Sequence, residues 1–462
     1  MSLALERVST GVAGLDMILC GGLGRNALVF IVGPPGAGKT ILATQILFAA
    51  VRAGTPGIIL TAFSEDHSKL LAHLRPLSFF DSQVVGTQLQ LFTLGSLIGP
   101  DGQLDTSLVI QTIRQTGAGI VMIDGFQGIP ELFVEPIVVR RLLDSLGKLA
   151  QMLRITVLVT MEGDARDPQH GAALTMADTV IDLNYHVAGW RHIRQLDLVK
   201  QRGHPSLHGL HTYAITGNGL VVYPRLEAQL PPLPIAHRDE RLPFGLPPLD
   251  AILAGGLSSG SAALLAAAPG AGKTTLALRW ALADARPNAG TIVLTFHANP
   301  AQLAAKASVF GLDLSAAMES GACTVLYMPP VAIDPDAVAA RLLAALRPNT
   351  RRVVIDDLGG LIWELGPRAR DYLAALSIHL AHAGVTTLFL LETGADRMFA
   401  HDTTYTLIAP IAETVLILEE QLAGDRPQHV VRVLTMRFGA YTARQRMVIL
   451  EQGGAAPPGE DN

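Results

Sequence analysis

Cysteine is almost missing from this chain. Cys20 and Cys323 are the two present in 462 residues, too few and too far apart for a disulfide framework or a thiolate metal site, which fits a reducing compartment. Charge is sparse as well, at 16% of residues, and the formal net charge of −5 argues against a broad basic field for nucleic acid. No apolar run approaches the roughly 20 residues that cross a bilayer. The opening Met1 to Arg7 also lacks the charged-then-apolar plan of a signal peptide. The expectation is a cytoplasmic protein with neither a membrane nor a nucleic-acid partner.

What the chain has in quantity is apolar residues, 49% of the total, which suits buried parallel sheets whose strands are apolar on both faces. Its length exceeds one ordinary core, and an internal repeat divides it. Gly33, Pro34, Pro35, Gly36, Ala37, Gly38, Lys39 and Thr40 form one glycine-rich motif, followed by Ile41. Ala267, Ala268, Pro269, Gly270, Ala271, Gly272, Lys273 and Thr274 form the other, followed by Thr275. Lys39 and Lys273 are 234 residues apart, as are Asp16 and Asp250 upstream. Gly-Gly-Leu follows each aspartate, at 21–23 and 255–257.

The pattern predicts a strand at Ala27–Val32, a helix at Thr40–Ala53, and strands at Gly57–Thr61, Leu89–Thr93, Gly119–Asp124 and Ile155–Met161. Helical patterns at Ser68–Leu74, Thr106–Thr116 and Val138–Leu153 separate them, so the sheet should be parallel. Short strands, with a hairpin at Asn218-Gly219, should fill Thr179 to Tyr223. The second half should repeat the plan with strands at Ala262–Ala267, Thr291–Thr295, Thr324–Tyr327, Arg352–Asp356 and Thr386–Leu391. The expected divisions are a domain at 1–230, a linker at 231–241, a domain at 242–453 and a disordered tail at 454–462.

A strand, Gly-x-x-x-x-Gly-Lys-Thr, then a helix is the phosphate-binding loop in its required context. Backbone N–H groups and the helix N-terminus meet the phosphates, Lys39 reaches toward the β- and γ-phosphates, and the Thr40 hydroxyl ligates Mg²⁺. Asp124, at the end of an apolar strand, is the expected second magnesium residue. Glu65 is the candidate for orienting the attacking water, with Asp66 and a helix-capping role as alternatives. In the second half Gly270, Gly272, Lys273, Thr274 and Thr275 keep the cradle and Asp356 keeps the metal position. Ala267 replaces the first glycine there, and Phe296-His297-Ala298-Asn299 carries no carboxylate. That site reads as able to hold ATP and poorly equipped to cleave it.

Ser9-Thr10-Gly11-Val12-Ala13-Gly14-Leu15-Asp16, the Gly-Gly-Leu turn and the glycine-rich loop together resemble the KaiC-like branch of the RecA superfamily, across nearly the whole chain. The resemblance implies two tandem RecA-like P-loop NTPase domains, each a mostly parallel central sheet flanked by helices with a C-terminal antiparallel extension. It implies stacked domains, a homo-oligomeric ring, commonly a hexamer, and ATP with Mg²⁺ at subunit interfaces. Family members carry two glutamates after the second strand; anchored on Leu70 and Leu303, those places hold Ser64-Glu65 and His297-Ala298. A late Lys-x-Arg pair reaches a neighbour's γ-phosphate, matched by Lys200 and Arg202 in the first half and by Arg437, without the lysine, in the second. Family autokinases phosphorylate a Ser-Thr pair where this chain has Ala409-Pro410, which argues against that activity, although Thr403, Thr404 and Thr406 are near.

The reading is therefore a slowly hydrolysing ring ATPase of regulatory or signalling type with an unidentified protein partner. Alternatives are a DNA-handling accessory, an autokinase and a non-hydrolysing scaffold. His204, His208 and His211 lack the companions of a metal site, and Arg140-Arg141 and Arg351-Arg352 read as solvated basic pairs, as does the Arg368 to Asp371 surface.

Overall fold

The computed structural model describes residues 6–61, 67–93, 96, 105–125, 136–167, 171–232, 240–287, 290–331, 333–393, 407–423, 426–437, 449–451 and 454–456. The chain divides into two compact units, Met1–Gln229 and Leu230–Asn462. In the first unit six parallel strands run, from the edge inward, Leu89–Thr93, Gly57–Thr61, Ile120–Asp124, Thr156–Glu162, Leu28–Gly33 and Thr179–Ala188. Arg191–Gln201, His211–Thr216 and Gly219–Tyr223 then continue the sheet antiparallel.

The second unit repeats this with Cys323–Tyr327, Gly290–Thr295, Thr350–Asp356, Thr386–Glu392, Ala262–Ala267 and Thr414–Ala423 in parallel. Arg426–Met436, Ile449–Glu451 and Gly454–Ala456 follow antiparallel. Each unit is thus the mostly parallel sheet with an antiparallel extension that the sequence led us to expect.

The strand Leu28–Gly33 is buried along its whole length because both its faces are covered. Val29 and Ile31 pack with Leu42, Ile46 and Phe48 of the helix Lys39–Arg52. Leu28, Phe30 and Val32 pack on the other side with Leu146 and Leu149 of the helix Pro136–Leu153. This two-sided burial explains the unbroken apolar runs and fixes the sheet whose upper edge carries the glycine-rich loop.

The repeated aspartates are loop clamps. Asp16 accepts from the Thr10 backbone N–H at 2.7 Å and from the hydroxyls of Ser9 and Thr10 at 2.5 and 2.6 Å. Asp250 accepts from the backbone N–H groups of Phe244 and Leu246 at 2.6 and 3.0 Å. The Gly-Gly-Leu turns are set by crowding: a Cβ on Gly22 would lie 2.3 Å from the Val8 carbonyl, and one on Gly256 2.2 Å from that of Leu242.

Several expectations are corrected. The first two strands after Thr179 are long, 10 and 11 residues, and form one hairpin over Thr179–Ala188 and Arg191–Gln201, whereas His211–Thr216 and Gly219–Tyr223 are the short hairpin expected at Asn218-Gly219. Arg241, expected in the linker, pairs as a strand residue with Ser258. Gly454–Ala456, expected in the disordered tail, pair with Ile449–Glu451. Arg352 is not a solvated face: its side chain is 1% exposed, with its guanidinium 3.3 Å from Asp284 and over the Trp280 ring. Arg368 makes a two-pronged pair with the buried Asp336 at 3.0 and 3.1 Å. His211 is fully buried and donates from Nε2 to the Leu207 carbonyl, while its Nδ1 accepts from the Arg225 backbone N–H. Arg140 and Arg141 fall on the helix Pro136–Leu153, and their side chains lie outside what is described.

Candidate nucleotide sites

In each unit the glycine-rich loop joins a buried strand to a helix that opens on Lys-Thr. Gly36 and Gly38 take positive φ of 76° and 96°, and Gly270 and Gly272 repeat them at 79° and 92°, so both loops curl the same way. The Lys39 ammonium donates to the carbonyls of Gly33 and Pro34 at 2.9 and 3.0 Å. Burial lowers its pKa, and the charges of Glu162 and Asp124 work against that.

The Thr40 hydroxyl donates to both carboxylate oxygens of Asp124 at 3.0 and 3.1 Å, so the two expected metal residues of this site meet. Asp124 also accepts from the Thr160 hydroxyl at 2.5 Å, and Thr160 in turn accepts from the Gly125 N–H. Burial raises the Asp124 pKa, opposed by the hydrogen bonds from Thr160 and Thr40 and the charge of Lys39. A cation placed here would offset that burial.

The second site keeps this core. Thr274 donates to Asp356 at 2.8 Å. Burial and the neighbouring Asp357 raise the Asp356 pKa, while Thr274, His297 and Lys273 lower it. Lys273 is 7% exposed; it donates to the carbonyls of Ala267 and Ala268 at 3.5 and 3.4 Å and meets Glu392 Oε2 at 3.2 Å.

The first position of the loop differs for a spatial reason. A Cβ on Gly33 would fall 2.1 Å from the Leu183 carbonyl of the adjacent strand. Ala267, in register with Leu418, is fully buried with its methyl accommodated. Ala37 and Ala271 are buried in their loops, while Pro34, Pro35, Ile41, Pro269 and Thr275 line them.

Beyond the second strand the two halves part. Ser64, Glu65 and Asp66 lie outside the described residues. In the second half His297 Nε2 stands 3.7 Å from Asp357, and Asn299 with Gln302 closes a capping box on the helix Pro300–Val309. The residues at that strand mouth therefore serve to start a helix.

Lys200 and Arg202 lie away from their own loop. Lys200 pairs across the sheet with Val180, itself beside Phe30, three residues and about 10 Å before Gly33. Lys200 donates to the carbonyls of Leu174 and Thr175 at 3.1 and 2.8 Å, and Arg202 to that of Thr175 at 2.7 Å. Burial, then the charge of Arg202, lowers the Lys200 pKa. Arg202 lines a groove with Lys148, Met152, Thr175, Met176 and Asp178. Arg437 occupies the matching place in the second unit, its N–H bonded to the Glu413 carbonyl as that of Arg202 is to Asp178.

Sequence reading missed four contributors to the first site. The Tyr213 hydroxyl donates to the Ala37 carbonyl at 2.7 Å and Arg194 to that of Gly36 at 2.9 Å, so the antiparallel extension props the loop from behind. Thr160 supports Asp124, and Glu162 is in register with Gly33. The signal for Glu162 was present: the matching strand of the second half also ends in glutamate, Glu392, in register with Ala267.

Two cradles of this kind, each with an aspartate on the strand two places over, define a P-loop nucleotide-binding protein of tandem α/β units. A family model described as "ATPase: KaiC" matches residues 8–227 and 242–455, and the chain belongs to that family. It is similar to the circadian clock oscillator protein KaiC of a Picosynechococcus species, at 25% identity over 98% of this chain and 89% of that protein. The oscillator protein KaiC of Parathermosynechococcus lividus is 26% identical over 97% of this chain and 85% of its own length. The circadian clock protein KaiC2 of a Synechocystis species is 24% identical over 98% and 81%. Among the described residues, no helix is long and apolar enough to cross a membrane.

Proposed function

We propose that this chain is a ring-forming ATPase of regulatory type in which the amino-terminal unit cleaves ATP slowly and the carboxyl-terminal unit holds it. The observation that carries the reading is a contrast in sequence after the second strand of each unit: a carboxylate-bearing segment at 64–66 against His297, Ala298 and a capping box at Asn299.

Gly36 and Gly38, with the helix N-terminus behind them, cradle the polyphosphate, and Lys39 turns from its own loop carbonyls to the β- and γ-oxygens. Thr40 and Asp124 would hold Mg²⁺, directly and through its waters. When bound, the ion neutralises charge on the β- and γ-phosphates. Glu65 orients the attacking water. Lys200 and Arg202, too far down the sheet to serve their own loop, supply positive charge to a neighbouring copy's γ-phosphate, with the groove beside Arg202 receiving that copy. Hydrolysis then depends on assembly. Gly270, Gly272, Lys273, Thr274, Asp356 and Arg437 make the corresponding binding set of the second unit.

The names of the relatives place them in a circadian clock. Membership of that family supports a regulatory role for this chain, but autokinase activity is disfavoured because Ala409 and Pro410 carry no hydroxyl. An unidentified protein would read the ring's state. A second reading, in which the His297–Asp357 pair acts as a base and the second unit also turns over, draws on their 3.7 Å approach.

Phosphate release from single variants tests the assignment. Lys39→Ala should remove at least nine-tenths of turnover, about 1.4 kcal/mol or more in barrier, whereas Lys273→Ala should leave most of it. Turnover that survives Lys39→Ala and is lost when Lys273→Ala is added to it would support the second reading.

A further inference from the structure

We propose that Glu392 is a gate on the second nucleotide site: its carboxylate competes with the incoming polyphosphate for Lys273 and so weakens binding there. The proposal rests on reading 267–275 as a nucleotide cradle.

Three observations point to it. An ammonium has three donors, and those of Lys273 are directed to the Ala267 and Ala268 carbonyls and to Glu392 Oε2 at 3.2 Å. Lys273 is 7% exposed while the Glu392 side chain is 49% exposed, so the lysine is fixed and the carboxylate is the partner free to swing into solvent. Finally, the position is built by register: Glu392 ends the strand beside the loop strand and faces Ala267, as Glu162 faces Gly33. In the first unit the described hydrogen bonds of Lys39 go to the Gly33 and Pro34 carbonyls, and Glu162 acts on it through its charge.

Phosphate oxygens and a carboxylate cannot both take the same N–H donor. A nucleotide entering the second cradle competes with Glu392 for the Lys273 ammonium, and it must also approach that negative charge. A support residue would strengthen binding, so its removal would weaken it; a competitor predicts the reverse. The solvent-facing carboxylate limits the size of the effect.

The test uses the full chain carrying Lys39→Ala, which silences the first site, titrated with a fluorescent ATP analogue and Mg²⁺. Adding Glu392→Gln should lower Kd by about three- to tenfold and slow dissociation by a similar factor. Glu392→Asp, one methylene shorter, should give part of that gain. Glu319→Gln, on a distant helix end, should change nothing. Unchanged or weaker binding in Glu392→Gln would overturn the gate. A Lys273→Ala arm in the same background separates the two ways of failing. If it leaves binding intact, the cradle reading is wrong; if it abolishes binding while Glu392→Gln has no effect, only the gate is wrong.

Discussion

Gly33 and Ala267 occupy the same place in two cradles and meet different neighbours. Gly33→Ala would drive a methyl to 2.1 Å from the Leu183 carbonyl, so it should cost about 2 kcal/mol and abolish nucleotide binding at the first site. Ala267→Gly should cost under about 1 kcal/mol and leave binding intact. Thermal melts with and without ATP check both. Asp182 offers a second test at this scale. Fully buried beside Asp197, it has its pKa pushed up to about 6 by burial and by the charges of Asp164 and Asp197; Arg166 and the Ala165 N–H oppose them. The folded state therefore holds this proton more tightly than the unfolded chain. The contribution to stability is complete below the ordinary aspartate value and is lost as pH rises through about 6. Asp182→Asn should stabilise the protein at pH 7.5 by about 2 kcal/mol, and the difference should vanish as pH falls toward 4. Equal gains at both pH values would show that the carboxylate's charge is not responsible.

At the scale of elements, the antiparallel extension bears on the first site more than its position in the chain suggests. Tyr213 sits under Ala37, its pKa pushed up to about 12 by burial, so it remains a donor at any working pH. Tyr213→Phe should cost about 1 kcal/mol and weaken ATP binding at the first site roughly threefold, measured in a Lys273→Ala background. What could be read from the sequence follows the range of the forces involved. The loop strands, their helices and the two aspartates proposed to hold the metal are local patterns, and Asp124 and Asp356 end apolar runs that are plain in the sequence. Thr160, Glu162, Arg194 and Tyr213 act through strand register between distant segments, which no local pattern encodes. Arg352 misled for a related reason: a basic pair looks solvated until the fold sets Trp280 and Asp284 against one member of it. Glu65 was named from the strand before it and lies outside the described residues.

For the whole molecule, two units with the same topology differ in the sequence after the second strand and at the loop's first residue while keeping lysine, threonine and aspartate. That pattern suits a division between turnover and retention. Nucleotide recovered from the protein after incubation with ATP and Mg²⁺, then rapid desalting, measures the division directly. The account predicts ATP retained in the carboxyl-terminal unit alongside ADP from the other, with the ATP fraction lost in Lys273→Ala and the ADP fraction lost in Lys39→Ala. Recovery of ADP alone from the Lys39→Ala variant would contradict it.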